Sequence, residues 1–144
     1  ARLIGQLGLK DLITFYSGLS PEQIARLYAR ATCAVVPSVY EGFGLPAGEA
    51  MACGVPIITT NGGALPEVVG DSGLVVPTRD HVAISNALRR LLPDAELRKE
   101  FSGHGMDRIH KHFSWTVAAD QMITLYRSIK QEHNSRQSHV AANN

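Results

Sequence analysis

Residues 33–60 read CAVVPSVYEGFGLPAGEAMACGVPIITT, and this stretch decides the fold. Two short apolar runs, "CAVVPS" and "PIITT", bracket a segment from Tyr40 to Gly54 that holds four glycines, one proline and two glutamates. A short continuous apolar run is expected of a strand buried on both faces. Pro46 suits a first helical position, so the bend opens a helix between the two strands. Strand, glycine-rich bend, helix and strand in that order imply parallel pairing.

Working outward, the same alternation continues. Upstream, "DLITFYSG" (11–18) is rich in β-formers and reads as a strand ending on Gly18. Ser20, Pro21 and Gln23 form a helix start, with Ser20 as N-cap and Gln23 completing a capping box. Ile24, Leu27, Tyr28 and Ala31 then share one helical face. Before all of these, Leu3, Ile4 and Leu7 read as the end of a helix stopped by Gly8. Downstream, a turn at "NGG" leads to a short helix near "LPEVVG" and to a further strand, "GLVVP". From Asp80 the chain is helical: one helix ends at Pro93, Asp94 caps a second running to about His112, and Ser114 caps a third. Ala118, Met122, Leu125 and Ile129 form the face of that third helix. The fold class expected is α/β, a Rossmann-like parallel sheet with helices on both faces. Residues 1–133 are expected to form one domain, with 134–144 a disordered polar tail.

Composition narrows the function classes. Of 144 residues, 44% are apolar and 19% charged, enough for an ordinary buried core. A net charge of +1 gives no steering field for a nucleic acid, and no nucleic-acid partner is expected. No apolar run reaches the length of a membrane span, and the first residues lack the ordered regions of a signal peptide. A cytoplasmic protein is expected, with attachment to the inner face of a membrane left open for a longer protein containing this chain. Cys33 and Cys53 have no Cys-x-x-Cys spacing and read as reduced core residues. No Asp-x-Asp occurs and the histidines have no ligand spacing, so no metal is expected.

The bend has its own chemistry. Gly44 and Leu45, just before Pro46, offer no side-chain oxygen to the first free N–H groups of the helix. An anion such as a phosphate is favoured there, by those donors and by the helix dipole. Gly42 and Gly44 let backbone approach a ligand closely. Glu41 and Glu49 would be repelled by a phosphate and are better matched to sugar hydroxyls. A nucleotide sugar supplies two sugar rings with a diphosphate between them. Taken alone, two glutamates eight positions apart are a weak signal, better read as a solvated loop residue, Glu41, and a first-turn residue favoured by the helix dipole, Glu49.

The flanking pattern changes that balance. Glu41 and Glu49 enclose seven residues around the core Glu-Gly-Phe-Gly-Leu-Pro. Pro37-Ser38 precede them, and Gly54-Val55-Pro56, Gly62-Gly63, Pro66-Glu67 and Gly73 to Pro77 follow. Phe113 to Trp115 lead into the last helix with Tyr126. Over about residues 7–130 this closely resembles the C-terminal domain of retaining GT-B glycosyltransferases, specifically glycosyltransferase family 4. The resemblance implies that the chain is the C-terminal half of a GT-B fold, incomplete at its N-terminus. It implies that Glu41 contacts the transferred sugar as the catalytic-site carboxylate and that Glu49 holds the ribose. It further implies that Gly42, Phe43, Gly44 and Leu45 touch the donor sugar and diphosphate. Tyr16, Ser17, Gly18 and Leu19 fall where the family holds the base. Gly62, Gly63 and Glu67 form a neighbouring loop, for which a plain turn with a first-turn glutamate stands as an equal alternative.

Two features of the family's pattern lie outside this chain: the basic residues that clamp the diphosphate, and the N-terminal domain with its acceptor site. The implied activity is transfer of a sugar from a nucleotide-diphosphate donor to an unknown acceptor, a glycan, a lipid-linked sugar or a small molecule. The isolated chain is expected to be inactive. A non-catalytic nucleotide-binding half-domain and a GT-B phosphorylase or sugar-nucleotide epimerase are the alternatives. The Gly-Phe-Gly-Leu-Pro core between two glutamates argues against the epimerase.

Overall fold

A computed structural model describes residues 2–142, with side chains described for residues 2–133. Three parallel strands, β1 (Ala34–Val36), β2 (Ile57–Thr60) and β3 (Leu74–Val76), form one sheet in the order β1-β2-β3. Ala34 aligns with Ile57, and Ile58 with Leu74. Every residue of β2 is buried, as its apolar run predicts, because it has a neighbour on each edge and helices on each face. The edge strands β1 and β3 are only partly buried.

Helices cover both faces. On one, α3 (Leu45–Ala52) and α4 (Leu65–Val69) bury Ala47, Ala50, Met51, Leu65, Val68 and Val69 against Val36 and Ile57. On the other, α5 (His81–Leu91) brings Ala87 and Leu91 onto Ile58. The long α6 (Ala95–His112) serves both, with Phe101 in the second cluster and Ile109 packed on the first. The side chains alternate along β2, so successive residues feed opposite cores. The caps read from sequence at Ser20 and Asp94 are present: the Ser20 hydroxyl and Gln23 side chain complete the box at α2 (Pro21–Tyr28), and Asp94 accepts from Leu97. Asp80, read from sequence only as the point where the chain becomes helical, also caps its helix and accepts from Ala83.

The N-terminal stretch corrects the reading. After α1 (Arg2–Gln6) and Gly8, in a left-handed conformation, a short 3-10 turn (Lys10–Leu12) is followed by extended backbone at Ile13 and a stretch that pairs with no strand among the described residues. "DLITFYSG" is therefore not a strand in this structure. The β-forming residues are there, but among the described residues no strand pairs with them. Leu12 and Phe15 are 79% and 77% exposed. Cys53 is also corrected: it is exposed at the end of α3, while Cys33 is half-buried, and both are free thiols.

The last helix, α7 (Trp115–Ala142), starts under the Ser114 cap as expected, and its backbone runs past His133. The expected polar tail at 134–144 falls on residues whose side chains lie outside the described part, and residues 143 and 144 lie outside it entirely. Met122, Leu125 and Ile129, read as an apolar face, are each at least half exposed. No helix among the described residues is long and apolar enough to cross a membrane.

Candidate functional site

The glycine-rich bend lies beyond the carboxyl ends of β1 and β2, where parallel α/β sheets hold their ligands. Its shape is fixed by backbone. Gly44 is the N-cap of α3 with φ 89°, in the left-handed region, and offers no capping side chain. The helix thus begins at Leu45, one residue earlier than Pro46. The Ala47 and Gly48 amides both donate to the Gly44 carbonyl. Pro46 has no N–H. The amides of Gly42, Phe43, Gly44 and Leu45 have no partner among the described residues. Four adjacent donors thus stand without a protein partner, among the described residues, at the uncapped start of an eight-residue helix, the kind of position that favours an anion. A Cβ at Gly42 would meet nothing, so its surroundings are open.

The turn after β2 clamps the bend from the side. A Cβ on Gly62 would lie 2.5 Å from the Val39 carbonyl oxygen. Gly63, at φ 61°, would place one against the backbone of Glu41. The Ala64 amide donates to the Glu41 carbonyl at 3.0 Å. Gly62 and Gly63 thus touch the bend itself, through backbone. Glu67 is exposed on the first turn of α4.

The two sequence-selected carboxylates occupy different settings. Glu41 is half-buried and accepts a hydrogen bond from the Ser38 hydroxyl at 2.7 Å. Glu49 is exposed on α3 and lines a groove of about 270 Å³ against Pro21, Ile24 and Tyr28 of α2. The Tyr28 hydroxyl donates to the Pro46 carbonyl at 3.2 Å and ties α2 to the first turn of α3. Burial, then the nearby Glu49 carboxylate and Cys53, push the Tyr28 phenol above its usual pKa. Tyr16, Ser17 and Gly18 are exposed on the unpaired segment leading to α2, and Leu19 is half-buried. They line neither this groove nor the larger cavity.

That larger cavity, of about 720 Å³, joins Phe43 and Leu45 of the bend to Glu67, Arg108, Phe113 and Trp115. Phe43 and Phe113 meet edge to face, with ring centres 5.9 Å apart. Trp115 is 90% exposed. The Arg108 guanidinium donates to the carbonyls of Glu67 at 2.7 Å and Val68 at 2.9 Å, holding the end of α4. No group of three or more His, Cys, Asp or Glu side chains converges among the described residues.

Reading by motif passed over Ser38, Thr60, Tyr28 and Arg108. Ser38 stands three residues before Glu41 and could have been found as a local side-chain donor. Arg108 acts on carbonyls some forty residues away, and no local pattern announces that.

Comparison with known proteins agrees with this architecture. The family model for "Glycosyl transferases group 1" matches residues 1–108. The chain belongs to the glycosyl transferase group 1 family. Against the MMP alpha-(1->4)-mannosyltransferase of Mycolicibacterium hassiacum it is 43% identical over 129 residues, 87% of this chain and 31% of that protein. The sucrose-phosphate synthase of Thermosynechococcus elongatus superposes with a TM-score of 0.82 at 38% identity, over 91% of this chain and 33% of the other. The Anabaena protein HepE, in complex with UDP, superposes with a TM-score of 0.81 at 21% identity, over 88% and 35%. The fold is that of GT-B glycosyltransferase C-terminal domains, and the chain spans about a third of the length of these relatives.

Proposed function

We propose that this chain is the donor-binding part of a retaining, family 4 glycosyltransferase that takes its sugar from a nucleotide diphosphate. The observation that carries the reading is the run of four unpartnered amides from Gly42 to Leu45 at the uncapped start of α3. In this reading the diphosphate sits on those amides, which with the helix dipole stabilise charge on the leaving group. Glu41 meets the transferred sugar, and Glu49, from its groove beside Tyr28, accepts from the ribose hydroxyls. Tyr16 to Leu19, next in sequence to that groove, face the base. A relative of the same fold holds UDP, which supports a nucleotide donor. The reading gives this chain no metal ligands, because the sequence has no Asp-x-Asp. The acceptor is bound by a part of the enzyme beyond this chain.

The test is kinetic, on the full-length protein containing this chain. Glu49→Ala is expected to raise the donor KM about tenfold or more, the loss of one or two ribose hydrogen bonds, with kcat little changed. Glu41→Ala is expected to act mainly on kcat, because the sugar gains positive charge only on the way to the transition state. A wild-type protein that binds no UDP- or GDP-sugar sinks the reading. Equal effects of both variants on both constants would defeat the division of roles.

A further inference from the structure

We infer that Ser38 is the positioning residue of Glu41, fixing which carboxylate oxygen is offered to the transferred sugar. The inference rests on the reading that Glu41 touches that sugar. The Ser38 hydroxyl donates to Glu41 Oε1 at 2.7 Å, in a half-buried setting. The other oxygen, Oε2, has no partner among the described residues. One oxygen is therefore held and the other is free to accept from a ligand. A long, flexible glutamate side chain loses rotamer freedom when it is ordered. The Ser38 contact orders it before the donor arrives.

Ser38 can do this because its own backbone is held by the central strand and the turn after it. It follows β1 by two residues. Its carbonyl accepts from the hydroxyl of Thr60, a fully buried residue at the end of the central strand. The turn after β2 presses on the same backbone, where a Cβ on Gly62 would come 2.9 Å from the Ser38 carbonyl oxygen. The Ala64 amide then holds the carbonyl of Glu41. Both ends of the Ser38–Glu41 segment are thus fastened to β2 and its turn, and the hydroxyl is aimed from a rigid base. A serine that merely ended the strand would need none of this, and its loss would move stability without separating kcat from KM.

The experiment uses the full-length protein, a panel of UDP- and GDP-sugars, and release of nucleoside diphosphate as the signal. Ser38→Ala is expected to lower kcat about tenfold with the donor KM within about twofold, and Ser38→Thr, which keeps the hydroxyl, to restore most of the rate. In a Glu41→Ala background, Ser38→Ala should cost less than about twofold, because Ser38 acts only through the carboxylate. An unchanged kcat in Ser38→Ala, or the same loss with and without Glu41, overturns the inference. If Glu41→Ala itself leaves kcat intact, the reading of Glu41 fails and this inference fails with it. If Ser38→Ala gives no cooperative thermal transition, Ser38→Cys, similar in size and a weaker donor, takes its place. An undiminished kcat there overturns the inference as well.

Discussion

The bend from Val36 to Gly44 and the segment from Leu12 to Leu19 look equally well specified as sequence, yet one is clamped and the other is bare. Both are rich in apolar residues, both carry glycine near their end, and both adjoin the start of a helix. The bend is held by the Thr60 hydroxyl, the Ala64 amide and the close backbone of Gly62 and Gly63. The other segment leaves a 3-10 turn at Leu12, turns left-handed at Gly18, pairs with no strand among the described residues and exposes Ile13, Phe15 and Tyr16. Local propensity is the same kind of signal in both. What differs is whether a neighbour receives the backbone polar groups, and that is a tertiary fact.

Two glycines of nearly equal φ put this contrast to its hardest test. Gly63 (φ 61°) and Gly18 (φ 65°) both carry the left-handed penalty for a side chain, about 1–2 kcal/mol. At Gly18 a Cβ meets nothing within 4 Å, so Gly18→Ala should lose only that penalty. At Gly63 it would run into the backbone of Glu41, 2.9 Å from its nitrogen, and backbone cannot rotate away. Gly63→Ala is expected to cost about 4 kcal/mol in denaturant unfolding. Similar costs at the two sites would show that the clamp is not tight.

The central strand was the most legible element, and for a plain reason. "PIITT" is buried on both faces, so its identity depends on hydrophobicity alone, which sequence displays. The caps at Ser20, Asp94 and Ser114 were legible because a cap is a local event, complete within four residues. The bend at Gly44 was legible because glycine and the missing cap oxygen are both local. By contrast, the failure of 11–18 to pair, the exposure of Cys53 and the reach of Arg108 to α4 depend on what lies across the fold. The separation of Glu41 from the groove of Glu49 is of the same kind: eight positions along the chain do not say which side of α3 each group serves.

Adjacent threonines in β2 sharpen the comparison within one strand. Thr60 and Thr59 are both buried, but the Thr60 hydroxyl holds the Ser38 carbonyl, while the Thr59 hydroxyl has no partner among the described residues. Replacing a bonded hydroxyl by a methyl leaves the part-buried Ser38 carbonyl under-satisfied, whereas replacing an orphan one removes a desolvation cost. Thr60→Val is expected to lose about 1.5 kcal/mol, and Thr59→Val to be neutral or to gain up to about 1 kcal/mol. Thermal unfolding of the two variants side by side gives the answer. A loss in Thr59→Val as large as in Thr60→Val would mean that Thr59 has a partner in solution.

The smallest effect expected concerns the seam between the bare segment's helix and the clamped one. Tyr28 of α2 is tied to α3 by its bond to the Pro46 carbonyl, and its phenol is pushed above the usual value by burial, then by Glu49 and Cys53. A group whose folded pKa is raised contributes stability that is whole below its unfolded pKa. As pH rises past about 10, the unfolded chain releases the phenol proton first, so that contribution drains away through the folded pKa. Cys33, also raised by burial against the opposing Arg98, begins a similar decline above about pH 9. Tyr28→Phe should therefore lose about 0.5 kcal/mol near neutrality, the worth of one partly exposed hydrogen bond. Above pH 10 it should fall less steeply than the wild type, leaving only the Cys33 decline of the two. Unfolding midpoints from pH 7 to 11 would show the two curves converging. Parallel curves would mean that the Tyr28 phenol titrates alike in both states, and that α2 lies more loosely on α3 than its bond to Pro46 indicates.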